Sequence, residues 1–443
     1  MANISQRPSQ KRCRMLSEWT EYVLGDIARF SYGKMPKKNL KNTGAFPIYT
    51  GYRNAGWYPE KNCHKGDIIV VARGVGGTGD VKLVQSDSFL TNLSIKIDTN
   101  QDVIDNKFLY YNYLHSNLRY LDSGSAQSQI VIKDLEQIRI HLPSLSIQKA
   151  IAHILGSLDD KIELNRKMNE TLEAMAQAMF KSWFVDFDPV IDNALAAGNT
   201  IPEELAERAE QRKALGDKRK KLPPEIQNLF PNEFIFTDEL GWIPKGWEVE
   251  ALDDIANYQN GLALQKFRPE DEDDFLPVLK IAQLRQGYAD GVEKASPSIK
   301  AECIVNNGDV IFSWSGSLLV DVWCGGKVAL NQHLFKVTSA NYPKWFYYYY
   351  TKHHLEGFQK IAADKAVTMG HIKREHLKQA YCAIPCGDVI EDTGSTLKEL
   401  VSKQIKERLE NMSLFKLRDT LLPKLLSGEL RIKDAEKLVE GVL

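Results

Sequence analysis

The chain has 443 residues, with 57 Lys+Arg against 58 Asp+Glu and a formal net charge of −1. Hydrophobic residues make up 43% and charged residues 26%, ordinary for a globular protein, and at about 100–200 residues per domain the length suggests two to four domains. Balanced charge argues against a protein that coats nucleic acid through bulk positive charge. Six cysteines in so long a chain cannot form a disulfide framework, which points to a reducing, cytoplasmic setting. The longest apolar runs, Ile68 to Ala72 and Trp345 to Tyr350, are too short to span a membrane. The leader, 1–18, is polar and basic without the apolar stretch of a secretory signal, and reads as disordered.

In chain order the first finding is a repeat. Trp19 to Gly33 (WTEYVLGDIARFSYG) and Trp247 to Gly261 (WEVEALDDIANYQNG) are identical at six of fifteen positions at an offset of 228. The likeness continues through Gly66-Asp67-Ile68-Ile69-Val70 and Gly308-Asp309-Val310-Ile311-Phe312, then Phe108 to Tyr111 and Phe346 to Tyr349, then Ile132-Lys133 and Ile372-Lys373. Offsets drift between 228 and 242, as loop insertions would cause. A period this long is a duplicated domain, with copies over 19–146 and 247–388.

Asp67 to Ala72, Leu93 to Ile97, Gln137 to Leu142 and Val310 to Trp314 are strand-like runs bounded by Gly, Asn and Asp. Lys107 to Leu121 and Pro343 to Ile361 carry helical spacing. Each copy therefore reads as an α+β domain of antiparallel sheet with short helices. Pro143 and Pro385 close the copies at equivalent places.

A long helix over 147–185 follows the first copy, with a seam through Ile147, Ile151, Ile154, Leu158 and Ile162, then Met168, Leu172, Met175, Met179 and Trp183. At 1.5 Å per residue it runs about 55 Å. Asn165 falls in the gap of the seam, either as a buried amide that fixes register or facing solvent. A second long helix over 389–428 carries Leu397, Val401, Ile405, Leu409 and Met412, with Pro423 kinking or ending it before Gly428. The two helices are expected to pack antiparallel as a coiled coil. Ile151, Leu158, Leu172, Met175, Met179, Val401, Ile405 and Leu409 are the expected partner-binding seam. A connector over 186–246 and a tail over 429–443 complete the chain.

Catalytic signatures are missing: there is no Walker loop, no HExxH, no Gly-x-Ser-x-Gly, and Leu222-Pro223-Pro224-Glu225 does not fit an adenine-methyltransferase tetrapeptide. Gly74 to Gly79 lacks the following Lys-Ser/Thr and reads as a tight turn between strands. Cys382, Cys386 and His376 resemble half a zinc site without a second half. The aromatic run from Trp345 reads as helix core.

Polar loop residues are more informative, because Arg, Lys, Gln and Asn are the side chains that read base edges and hold phosphates. The first copy offers Lys34, Lys37, Lys38, Tyr52, Arg53, Asn54, Arg73, Lys82, Ser125, Gln127, Gln129 and Lys133. The second offers Lys266, Arg268, Arg285, Trp314, Ser315, Lys327, Lys365, Thr368, His371 and Lys373. Residues 1–146 carry 19 Lys+Arg against 13 Asp+Glu, net +6, whereas 247–385 carry 15 against 17, net −2.

The order domain, long helix, domain, long helix resembles the specificity subunit of a type I restriction–modification system. So do PSLSIQKAIAHILGSLDDKIELNRKMNETLEAMAQAMFKSWFVDFDP (143–189), LFPNEFIFTDELGWIPKGWE (229–248) and the closing Leu421 to Leu430. The likeness covers Trp19 to Lys433, although Pro385-Cys386-Gly387-Asp388 lacks the Gln-containing lead of Ser146-Ile147-Gln148. The resemblance implies a non-catalytic DNA-binding subunit whose two target-recognition domains each read half of a bipartite asymmetric site. It implies helices that set the spacer and hold two modification subunits, with two restriction subunits joining that core. S-adenosylmethionine, ATP and Mg²⁺ are then expected on the partners and no cofactor in this chain. A stand-alone DNA-binding protein is the alternative reading; a fused methyltransferase or a bare scaffold fits less well.

Overall fold

The computed structural model describes residues 19–443 except 75–76, 115–117, 123–127, 220–221, 272 and 365–369, so the leader lies outside the described residues. The chain divides into two units, one of residues 1–163 with 413–443, the other of 164–412.

The first unit opens with β1 (Thr20–Val23), the short α1 (Leu24–Ile27) and β2 (Ala28–Tyr32), then β3 (Phe46–Tyr49), β4 (Asn54–Tyr58), β5 (Ile68–Val71), β6 (Val81–Leu83), β7 (Phe89–Leu90) and β8 (Ser94–Thr99). Helix α2 (Asn106–Tyr113) begins where the Asp105 carboxylate accepts the Phe108 amide at 2.9 Å, an N-cap that satisfies a first-turn donor. Helix α3 (Ile132–Glu136) and β9 (Arg139–Leu142) close the copy. Its strands form sheets ordered β2-β8-β5-β6 and β4-β3-β7, plus the pair β1-β9.

The second unit repeats this plan: β12 (Glu248–Ala251), α8 (Leu252–Ile255), β13 (Asn257–Asn260), β14 (Leu276–Leu279), α9 (Ile281–Gln286), β15 (Lys294–Ala295), β16 (Ile304–Val305), β17 (Val310–Ser313), β18 (Leu319–Val322), β19 (Val328–Leu330), β20 (Leu334–Thr338), α10 (Lys344–Asp364), α11 (Arg374–Lys378) and β21 (Tyr381–Ile384). The sheets run β13-β20-β17-β18 and β15-β14-β19-β16, with β12 paired to β21. Among the described residues the nine strands of the first copy thus recur in order in the second, which adds β16 beside β19. One expectation is corrected: the sheets are not wholly antiparallel. β3 runs parallel to β7 and β14 to β19, because the intervening chain crosses to the other sheet before returning.

Shared backbone geometry accounts for one identity of the repeat. A Cβ on Gly33 would lie 2.2 Å from the Thr91 carbonyl oxygen, and one on Gly261 would lie 2.2 Å from that of Asn331. Only glycine lets the strands approach so closely. Leu24, Leu252, Ile27, Ile255, Ala28 and Ala256, among the apolar identities, are buried. So are all six residues of the aromatic run Trp345 to Tyr350, with the Tyr350 hydroxyl donating to the Ala383 carbonyl at 2.5 Å.

The long helices are α4 (Leu145–Phe180), extended by a π-helical turn over Lys181–Val185, and α12 (Gly387–Leu426). Pro423 sits within the last turn of α12, near its end at Leu426, followed by Gly428 with φ +69°. In the first unit Ile151, Leu155, Leu158 and Ile162 of α4 share a core with Leu414, Leu421, Leu422 and Leu425 of α12. Asp159 ties them, accepting Arg418 Nη1 at 2.8 Å and the Tyr111 hydroxyl at 2.6 Å. In the second unit Ala176 and Phe180 of α4 share a core with Leu397 and Val401 of α12. There Asn165 is buried, and its Nδ2 donates to Asn411 Oδ1 and Glu410 Oε2, both at 3.0 Å. In each unit the helices therefore run antiparallel.

Between them lie α5 (Asp188–Ala197), α6 (Glu203–Leu215), α7 (Pro224–Gln227) and the hairpin β10 (Phe234–Thr237) with β11 (Gly241–Pro244). The buried Asp188 carboxylate accepts Arg208 through two bonds of 2.7 Å and the Ser182 hydroxyl at 2.7 Å, clamping α6 to α5. The tail over 429–443 carries a helix, α13 (Ile432–Glu440), whose Ala435 and Val439 are buried in the first unit's core. Its apolar residues recur at helical spacing and have a core to join.

Replacing Asn165 by Leu deprives Asn411 of a buried partner and is expected to cost about 1–3 kcal/mol. Pairing it with Asn411→Leu should recover part of that loss. Chemical denaturation of the two variants measures both.

Candidate nucleic-acid interface

The central strands β5 and β17 end at equivalent places in the two copies. Just beyond β5, Arg73 forms an antiparallel bridge with Gln129, and just beyond β17, Ser315 forms one with His371. The Ile130 amide donates to the Ala72 carbonyl at 3.0 Å, and the Ile372 amide to the Trp314 carbonyl at 3.0 Å. The chain before α3 or α11 is thereby pinned to the tip of the central strand in both copies, and polar side chains gather there.

In the first copy the exposed Arg73 is joined by Tyr52, whose ring a Cβ on Gly74 or Gly77 would strike. Lys82 Nζ lies 5.6 Å from the centre of that ring, a cation–π contact. The turn carrying Tyr52 and the exposed Arg53 is tied to the same strand ends, the Ser94 hydroxyl donating to the Thr50 carbonyl at 3.2 Å. Lys34 joins through its amide, which donates to the Leu90 carbonyl at 2.9 Å. Asn54 Oδ1 is taken by the Gly56 amide at 2.9 Å. Lys37 and Lys38 are exposed on a neighbouring loop, and Lys133 is exposed on α3. Ser125 and Gln127 lie outside the described residues.

In the second copy the group is aromatic rather than cationic. Trp314 packs against His333, Phe335 and His371 with ring centroids 6.0, 5.8 and 6.3 Å apart. Ser315 Oγ lies 2.9 Å from His333 Nδ1, and Gln332 Nε2 lies 3.3 Å from His333 Nε2. Beside them is a recess of about 420 Å³ lined by Arg268, Lys280, Gln265, Gln332 and His333 among others. Lys266 precedes Arg268 in a 3-10 turn, and Arg285 is exposed in the last turn of α9. Lys373 is exposed and 3.4 Å from Glu375. Lys327 belongs elsewhere: it precedes β19, beside the start of β17, at the opposite end of that strand from Ser315. Lys365 and Thr368 lie outside the described residues.

Two residues that this geometry brings forward, Asn92 and Gln265, escape sequence reasoning. Thr91 to Ser94 and Asn331 to Leu334 share no identity, so the alignment of Asn92 with Gln332 emerges only from the strands.

The helix seam is corrected in part. Ile151 and Leu158 are buried in the first unit's core, and Leu172 and Val401 are buried in the second unit, so their side chains are unavailable to a partner. Met179, Ile405 and Leu409 pack partly on the second unit's core, whereas Met175 is exposed, as are Leu164 and Met168 on the same helix. Apolar residues at helical spacing serve whichever surface is nearest, here the chain's own domains.

Among the described residues no cluster of three or more His, Cys, Asp or Glu is placed to hold a metal. Cys382 is buried with its Sγ 3.7 Å from His354 Nε2, and burial, then neighbouring His353, pushes the His354 imidazole down to about 4. Cys386 is exposed, and His376 Nδ1 accepts the Lys373 amide at 3.0 Å. The strands flanking Gly74 to Gly79, β5 and β6, pair antiparallel, and residues 75–76 of that segment lie outside the described residues. No helix among the described residues is long and apolar enough to cross a membrane.

Residues 16–174 and 244–411 match the family model for the type I restriction modification DNA specificity domain. The chain is 26% identical over 432 residues to the type I restriction enzyme MjaIX specificity subunit of Methanocaldococcus jannaschii, covering 94% of this chain and 89% of that one. It is 25% identical over 460 residues to the HindI specificity subunit of Haemophilus influenzae, covering 94% and 100% respectively. Its fold is similar to the crystal structure of the type I restriction-modification S subunit from M. genitalium, with a TM-score of 0.53 at 17% identity over 92% of this chain and 96% of that one. Two α+β domains, each followed by a long helix, define a DNA-specificity protein. The chain belongs to the type I restriction–modification specificity subunits, which target the complex and do not catalyse its reactions.

Arg73→Ala is expected to weaken DNA binding and to lower the slope of log affinity against log salt by about one. Lys327→Ala should leave the slope unchanged. Fluorescence anisotropy on duplex DNA over a salt series checks both.

Proposed function

We propose that each copy reads one half of a bipartite, asymmetric DNA site through the polar group at the tip of its central strand. In this reading the copies approach the major groove, with half-sites on one face of the duplex about one helical turn or slightly more apart. The long helices set the unspecified spacer and dock two modification subunits, and two restriction subunits join the assembly in the cytoplasm. S-adenosylmethionine sits on the modification subunits, and ATP and Mg²⁺ on the restriction subunits.

The observation that carries this reading is the matched pair Arg73–Gln129 and Ser315–His371. One backbone scaffold presents different side chains at the same place, as two readers of different sequences require. The surplus positive charge of the first copy fits phosphate attraction there. Exposed Leu164, Met168 and Met175 leave an apolar stripe on α4 for a partner's helices.

Co-expression with the modification subunit tests the proposal. A stable complex that methylates adenine in a gapped sequence is expected, with no methylation when this chain is omitted. Failure to form a complex, or methylation without this chain, would overturn it.

A further inference from the structure

The turn between β19 and β20 holds its residues tightly. The Gln332 amide donates to the Leu262 carbonyl at 2.9 Å, and Asn331 Oδ1 accepts the His333 amide at 3.2 Å. With its backbone fixed, the Gln332 side chain is oriented by the imidazole beside it. With Gln332 Nε2 as the donor, His333 Nε2 accepts and the ring proton lies on Nδ1. Ser315 Oγ, 2.9 Å away, then accepts that proton, and Ser315 itself is buried. The contacts Ser315–His333–Gln332 thus hold the imidazole and the carboxamide against each other.

Gln332 is left with Oε1 and one N–H that have no partner among the described residues. It lines the recess that also carries Arg268 and Lys280. An acceptor beside a donor matches the major-groove edge of adenine, which offers the N6 amino group and N7. Guanine presents two acceptors there, so the same amide cannot satisfy both.

The first copy supplies an independent observation. Gly33 approaches the Thr91 carbonyl as Gly261 approaches that of Asn331, which makes Asn92 the counterpart of Gln332. Both copies therefore place a carboxamide on this turn. In the first copy Leu93 follows it where His333 follows Gln332, and Arg73 replaces Ser315, so no imidazole orients the amide.

We propose that Gln332 determines specificity for one adenine in the half-site of the second copy, with Ser315 and His333 as positioning residues. The assignment rests on the DNA-reading role proposed above.

The test selects bound sequences from a randomised double-stranded DNA library with the chain in complex with its modification subunits. Gln332→Ala should lower the preference for adenine at one position by roughly ten- to a hundred-fold, leaving the other positions and the other half-site as in wild type. Ser315→Ala should weaken that same preference, and Ser315→Thr, which keeps the hydroxyl, should retain it. Melting temperatures measured alongside separate misfolding from misreading. An unchanged motif with Gln332→Ala, or an equal loss at every position of the half-site, would overturn the assignment. A wild-type complex that selects no motif at all would instead overturn the DNA-reading role, and the assignment with it.

Discussion

Where α4 and α12 meet in the second unit, one buried carboxamide contact decides their register. Asn165 Nδ2 donates to Asn411 Oδ1 and to the neighbouring Glu410 Oε2, both at 3.0 Å. Slipping either helix by a residue would part these buried amides, at about 1–3 kcal/mol for each polar group left unmet. The second recognition domain is then fastened to helices whose register is fixed. Arg408 of α12 holds Asp321 through bonds of 2.8 and 2.9 Å, and Glu173 of α4 accepts Lys352 and the Tyr349 hydroxyl. A slip of the helices would break these bonds as well. In the first unit Asp159 plays the matching part, joining α4 to both Arg418 and Tyr111.

On that frame the molecule uses one domain design twice and varies its chemistry at one place. The tip of the central strand carries Arg73 in a net-positive copy and buried Ser315, with its imidazole and aromatic neighbours, in a net-negative one. Net charge is therefore a poor guide to this protein. The first copy can attract phosphates at a distance. The second has to rely more on short-range hydrogen bonding and shape at its recess.

Much of this was legible in the residues. The identities at an offset of 228 announce the duplication, and Gly33 and Gly261 among them mark a real backbone approach. Period-2 and period-3.6 spacing locate the central strands and both long helices. Periodicity cannot say which surface an apolar residue meets, which is why Ile151, Leu158, Leu172 and Val401 read as a partner seam but lie in the chain's own cores. Nor can it show that β3 and β7 run parallel, since that depends on the path between sheets. Lys327 looked like a groove cation by residue type alone, yet strand polarity carries it to the far end of β17. Asn92 and Gln332 were invisible as a pair because loop insertions shift the offset between the start of the repeat and this turn.

The central claim is that the two copies read independently. The direct test exchanges residues 20–142 for the equivalent segment of a relative with a different target, and maps adenine methylation across the genome of a host expressing the complex. The account predicts a new bipartite motif in which one half changes while the other half is retained. A motif altered in both halves, or in neither, would contradict it.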